Sequence, residues 1–271
     1  MRGVISAGMV SALEALGYVD AFDAVYGSSA GAINAAYFLA GQARVGTSIY
    51  YEDINNTSFI RFGRAAAGRP IVNLSYLLDD VARSRKRLDV ARILTSPTPL
   101  SVLATDVDSQ APCVFGPFGH DGDLFAALRA GATMPVVAGA PVTHQGRRYL
   151  DASLSEPIPV PTAEAHGHTH VLVLLTRSGE MRPEASAFDR YFVAPRLRRL
   201  SAALAVNYLN RAAPYTALIR AIDAGTGPLG RATVAALRVD GLRISKLECR
   251  GTILEAGAKR GYDVVCSALE R

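Results

Sequence analysis

Five residues, Gly27-Ser28-Ser29-Ala30-Gly31, constrain this chain more than any other stretch. They read G-x-S-x-G, with a short apolar, partly alternating run over residues 21–26 before them and a small-residue run over residues 32–40 after them, closing at Gly41. The first run has the pattern of a strand and the second that of a buried helix. A serine between the two sits on a sharp turn, where side chains at the flanking positions clash and glycine is required. Ser29 is therefore the candidate nucleophile. Its Oγ is expected above the sheet, with the backbone N–H of Ala30 at the helix N-terminus donating to an oxyanion. The string by itself is weak: with 24 glycines and 18 serines in 271 residues, chance supplies it in about one chain in seven. The strand and helix around it give it weight.

A serine needs a base. Three of the five histidines lie in Ala165-His-Gly-His-Thr-His170, just before the continuous apolar run 171–175, which reads as a strand inside a parallel sheet. A polar loop is the simplest reading of these histidines, because no carboxylate or cysteine at matching spacing completes a metal site. They stand as the second choice for the base, in a Ser…Asp…His order. The other candidate is Asp151, at the end of a short strand over residues 147–150 and followed by Ala152-Ser153. A carboxylate is a poor base for serine in water, so Asp151 serves only if desolvated against Ser29. By spacing alone a turn or cap aspartate is the simpler reading.

Elsewhere the pattern predicts a first helix over residues 4–16, helical periodicity over 74–94 with a basic cluster at Arg83, Arg85, Lys86 and Arg87 taken as a solvated face, and strands over 100–104 and 113–115. It further predicts a helix over 124–129, a mainly helical stretch from Glu184 to about Ala224, a final strand over 242–247 and a final helix over 253–269. With no internal repeat or linker tract, a single domain over 1–271 is expected. One decoy stands out. Gly225-Thr226-Gly227-Pro228-Leu229-Gly230 matches G-x-G-x-x-G, but it follows a helical pattern and is read as a loop between two helices, not a dinucleotide fingerprint.

Lys+Arg exceeds Asp+Glu by five, almost entirely through arginine, and lysine occurs only at 86, 246 and 259. Arginine suits phosphate and carboxylate, although codon composition explains the balance equally well. The cysteines, Cys113, Cys249 and Cys266, are odd in number and widely spaced, which argues against a disulfide framework or zinc site and for a reducing, cytoplasmic setting. The longest apolar runs are far short of the roughly 20 residues of a membrane helix. The apolar N-terminal stretch is broken by Glu14 and is not read as a signal peptide.

Several segments together resemble the patatin-like phospholipase family. Arg2-Gly3-Val4 with Ser6-Ala7-Gly8 resembles its first helix, and GSSAGAINA over residues 27–35 its nucleophile segment. Ala104-Thr105-Asp106, AALRAGATMP over 126–135, Pro141-Val142, and Arg148-Tyr149-Leu150-Asp151-Ala152 followed by Pro157 and Pro159 occur in the family's order. The resemblance implies an α/β fold of three layers, α/β/α, around a mostly parallel central sheet. It also implies a Ser–Asp dyad without histidine that hydrolyses acyl esters of lipids. By position Ser29 becomes nucleophile and Asp151 general base, with Gly27, Ser28, Ala30 and Gly31 as the elbow and oxyanion segment. No metal or organic cofactor is implied. A lipid or acyl-ester substrate is expected, with peripheral contact to an anionic membrane surface and no nucleic-acid partner.

Two departures follow. The family's Asp-Gly is here Asp151-Ala152, which would be strained if that position needed positive φ. The family also carries a strand and a glycine-rich oxyanion loop just before the Arg-Gly that is Arg2-Gly3 here, and these are expected to be missing. The missing loop keeps one alternative open, a non-catalytic membrane- or protein-binding module; a further alternative is an acyltransferase, since an alcohol can resolve an acyl-serine in place of water.

Overall fold

The computed structural model describes residues 1–177 and 184–269. Its larger sheet contains β1 (Val25–Ser28), β2 (Leu100–Asp106), β3 (Pro112–Phe115), β4 (Val142–His144) and β5 (Arg147–Asp151), in the order β1-β2-β5-β4 with β3 also on β2. A second, two-stranded sheet pairs β6 (His170–Leu175) with β7 (Thr233–Arg238). The helices are α1 (Val4–Ala15), α2 (Ala30–Leu39), α3 (Ala43–Glu52), α4 (Val90–Leu94), α5 (Asp121–Ala132), α6 (Val160–Ala165), α7 (Ala194–Arg198), α8 (Ala202–Leu209), α9 (Ala212–Asp223) and α10 (Gly251–Leu269).

The α/β architecture is as expected, but the larger sheet is mixed rather than mostly parallel. Only β1 runs parallel to β2, while β3 and β5 are antiparallel to β2 and β4 is antiparallel to β5. Connection length explains the two hairpins, β2–β3 and β4–β5. Residues 107–111 and the Gln145-Gly146 turn, with φ of 48° and 76°, are too short to cross back over a sheet, so the strands they join must form hairpins. The pair β6–β7 is parallel, and residues 176–232 supply the long crossover such pairing needs.

The register of β2 sets up the site. Val102 pairs with Gly27 on one side and Phe115 on the other, and Ala104 pairs with Asp151 on one side and Cys113 on the other. With β3 along one edge, β1 and β5 must share the opposite edge end to end. They approach from opposite directions, so Ser28, across from Leu103, and Asp151, across from Ala104, meet at neighbouring rungs.

Layering is clearest at the second sheet. Val173, Leu175 and Val234 pack with Val160, Tyr215, Leu218, Ile219 and Ile222 of α6 and α9. Alternate residues Leu172, Leu174 and Leu237 face the main core, built largely from α1, α2, α5 and α10. That period-two alternation puts helices on both faces. Helix α1 is buried from Val4 to Val10 without a polar face, as befits a central helix. It lies directly on α10: a Cβ added at Gly8 would stand 1.9 Å from the Ala258 carbonyl oxygen, and one at Gly261 2.1 Å from that of Ile5.

Three further expectations change. The periodicity over 74–94 resolves into a π-helical segment, Tyr76–Arg85, and α4. The basic cluster there is not merely solvated: Lys86 pairs with Glu52 and Asp53, Arg85 with Asp53 and Arg83 with Asp121, tying the segment to α3 and α5. Residues 242–247 form no strand; Ile244 fills the notch at Gly257 of α10, and Leu242 and Leu247 pack partly buried against the main core. The glycine-rich loop at 225–230 joins a helix to a strand, α9 to β7, rather than two helices. Its backbone N–H groups are already taken: Leu229 N donates to Glu164 Oε2 (2.9 Å), and Arg231 N and Ala232 N donate to Oε1 (2.9 and 3.1 Å). The buried Glu164 carboxylate occupies the place an anionic ligand would take.

Candidate active site

The turn from β1 into α2 holds Ser29 at φ 56°, ψ −128°, a conformation that costs a non-glycine residue on the order of 1–3 kcal/mol. A serine at a helix N-cap ordinarily caps the first turn with its hydroxyl. Ser29 does not. Its Oγ donates instead to Asp151 Oδ2 at 2.6 Å. The N-terminus of α2 is left without that cap, and Ala30, as the first helical residue, has no intrahelical acceptor for its N–H.

The two glycines of the motif differ. A Cβ at Gly27 would stand 2.3 Å from Ala32 Cα and 2.7 Å from Ala32 N, so only glycine lets strand and helix meet there. At Gly31 an added Cβ meets nothing within 4 Å. The expected clash holds for Gly27 and not for Gly31, which borders the cavity described below. Ser28 donates to the Glu156 carbonyl at 3.3 Å and so ties the elbow to the chain just beyond Asp151.

Asp151 is 1% exposed. Its second oxygen, Oδ1, accepts from Ser153 N at 2.8 Å, so the side chain caps the 3₁₀ turn Ala152–Leu154 and meets Ser29 at once. Its backbone is held on both sides: Asp151 N donates to the Thr133 carbonyl at 2.9 Å, and Thr105 Oγ1 donates to the Asp151 carbonyl at 2.9 Å. Ala152 is not among the residues with positive φ, so the alanine that replaces the family's glycine carries no strain of that kind.

Among the described residues, none of the histidines is hydrogen-bonded to Ser29, although His168 and His170 line the cavity described below. Tyr26 Oη lies 2.8 Å from His166 Nδ1 and 3.1 Å from His168 Nε2, and His170 Nδ1 lies 3.1 Å from Thr169 Oγ1. Burial raises the Tyr26 hydroxyl above its ordinary value. Asp151, not a histidine, is the group on Ser29. Among the described residues no cluster of three His, Cys, Asp or Glu side chains is arranged to hold a metal ion.

A network unnoticed in the sequence braces the elbow from behind. Asn34, buried on α2, donates to the Gly3 carbonyl at 2.9 Å and to Ser6 Oγ at 3.0 Å, and accepts from Tyr50 Oη at 3.1 Å. Burial pushes the Tyr50 hydroxyl far up, which keeps it a donor. A lone asparagine amid Ala32, Ile33, Ala35 and Ala36 was the available signal, since a buried amide must find partners. Nearby, Glu156 accepts from Thr162 N and Thr162 Oγ1, both at 2.9 Å, and burial raises its carboxyl above the ordinary range.

Ser29 and Asp151 open onto a cavity of about 870 Å³ running between β1 and β6. Its walls include Ile33, Phe38, Phe59, Leu77, Leu172 and Leu174. Such walls favour an alkyl chain at about 0.8 kcal/mol per methylene buried. A hydroxyl on a desolvated carboxylate, a helix N-terminus and an apolar cavity form the parts list of acyl transfer to serine.

Compared with protein-family models, residues 1–164 match Patatin-like phospholipase. The chain belongs to that family, whose members are lipid acyl hydrolases. A search of curated proteins gave no match. Among the described residues, no helix is long and apolar enough to cross a membrane.

Proposed function

We propose that this protein, as one acyl hydrolase domain, cleaves carboxylic esters of lipids through Ser29 and Asp151. The observation that carries the reading is the 2.6 Å hydrogen bond from a strained Ser29 to a buried Asp151 at the wall of an apolar cavity. Ser29 Oγ attacks the ester carbonyl while Asp151 Oδ2 takes its proton, and the Ala30 N–H donates to the developing oxyanion. The tetrahedral intermediate collapses, the alcohol leaves with the proton from Asp151, and an acyl-Ser29 remains. Water, deprotonated by Asp151, then releases the fatty acid and restores the serine. The hydrogen bond from Ser153 N holds Asp151 Oδ1 and leaves Oδ2 to Ser29.

The test is fluorophosphonate labelling of the whole chain, read by intact mass. The unmodified protein is expected to gain one adduct, Ser29→Ala none, and Asp151→Asn to label at least about a hundredfold more slowly. A folded protein that takes no label sinks the proposal and leaves the binding-module alternative. Competing alcohols that yield new esters instead of free acid would mark a transferase.

A further inference from the structure

The chain between residues 187 and 199 is helical, its first part wound as a π-helix (Asp189–Val193) and its second as α7. It buries one face: Val193, Ala194 and Leu197 pack with Leu150 and Leu154, on either side of Asp151. The opposite face is aromatic and open. Phe188, Tyr191 and Phe192 are 49%, 76% and 53% exposed, and Phe188 and Phe192 stack with centroids 5.3 Å apart. Arg190, Arg196, Arg198 and Arg199 are also exposed, and no ion pair engages them among the described residues. The acid inside this stretch, Asp189, is taken up by Tyr208 and by Arg211 at 2.9 Å, which leaves the outer face cationic.

Three exposed aromatic rings, flanked by arginines that bind no acid among the described residues and at most a nearby backbone carbonyl (Arg190 to that of Ala185 at 3.2 Å, Arg196 to that of Phe192 at 2.9 Å), are what an interfacial helix presents. Rings of this kind settle at the boundary between headgroups and acyl chains, while guanidinium forks pair with lipid phosphates. We propose that residues 187–199 dock the protein on an anionic lipid bilayer. Charge complementarity selects this occupant, and the assignment rests on the lipid hydrolase reading above. The docking face rides on the apolar cluster that contains Leu150 and Leu154, so the membrane contact and Asp151 share one rigid support.

The experiment is co-sedimentation of the full chain with vesicles of phosphatidylcholine alone and of phosphatidylcholine with phosphatidylserine. Tighter binding to the anionic vesicles, by tenfold or more and weakened by salt, is expected. Phe188→Ser/Tyr191→Ser/Phe192→Ser should lose at least tenfold on both, and Arg196→Gln/Arg198→Gln/Arg199→Gln should lose the anionic preference. Phe62→Ser, an exposed aromatic on another element, should bind as the unmodified protein does. Both triple variants should keep the circular dichroism, the fluorophosphonate labelling and the turnover of a short soluble ester, because they change only exposed side chains. Equal binding by all variants overturns the proposal, as does an aromatic variant altered only in self-association, which would make this face a protein contact. Failure of labelling in the unmodified protein strikes the hydrolase reading instead, and the two failures remain distinct.

Discussion

Gly27 and Gly31 flank the same serine and answer to different demands. Gly27 is pinned by the backbone of Ala32, so Gly27→Ala must push α2 off β1. We expect it to cost about 1–3 kcal/mol, as overpacking does, and to abolish labelling, both readable from a denaturant midpoint and intact mass. Gly31 faces open space at the cavity. Gly31→Ala should therefore raise stability by roughly 0.5–1 kcal/mol, the helical preference of alanine over glycine, while the new methyl group narrows the space beside Ser29 and lowers turnover. Comparable loss of stability in the two variants would contradict this division. The motif and its serine are legible in the sequence because the chemistry is local. Asp151 is not, since spacing alone reads it as a cap, and only the family resemblance brings it to Ser29. The physical reason is that the two meet across adjacent rungs of β2, a strand distant from both in sequence.

Among the elements, α1 and α10 lie backbone against backbone at Gly8 and Gly261. Gly8→Ala and Gly261→Ala should each cost about 3 kcal/mol, the upper end for overpacking, because carbonyl groups rather than flexible side chains must yield. Both press on one helix pair, so the double variant should cost less than the sum of the two, by an interaction of at least about 0.5 kcal/mol in chemical denaturation. Strict additivity would mean the helices do not move as units. Periodicity makes these helices legible, as it does the strand over residues 171–175. It misreads residues 242–247 because alternating burial arises equally when a loop drops Ile244 into the notch at Gly257. The direction of β3 against β2 and of β5 against β4 is likewise invisible to pattern, being decided by the length of the connections.

At the scale of the molecule, a single carboxylate ties two distant segments together: from the end of α6, just before β6, Glu164 holds the loop that leads into β7. It thereby fastens the segment that enters β6 to the segment that enters β7, the two strands of the parallel pair. Glu164→Ala strips three backbone N–H groups of their acceptor, that of Ala232 buried, and we expect thermal unfolding to show a loss of roughly 3 kcal/mol. The glycine pattern that reads like a nucleotide fingerprint is thus an anion cradle with its anion built in. Emptied by that substitution, it becomes a receptor for small carboxylates. Formate or acetate should then restore the melting temperature in proportion to the logarithm of concentration, a chemical rescue that leaves the unmodified protein, whose cradle is already filled, unchanged.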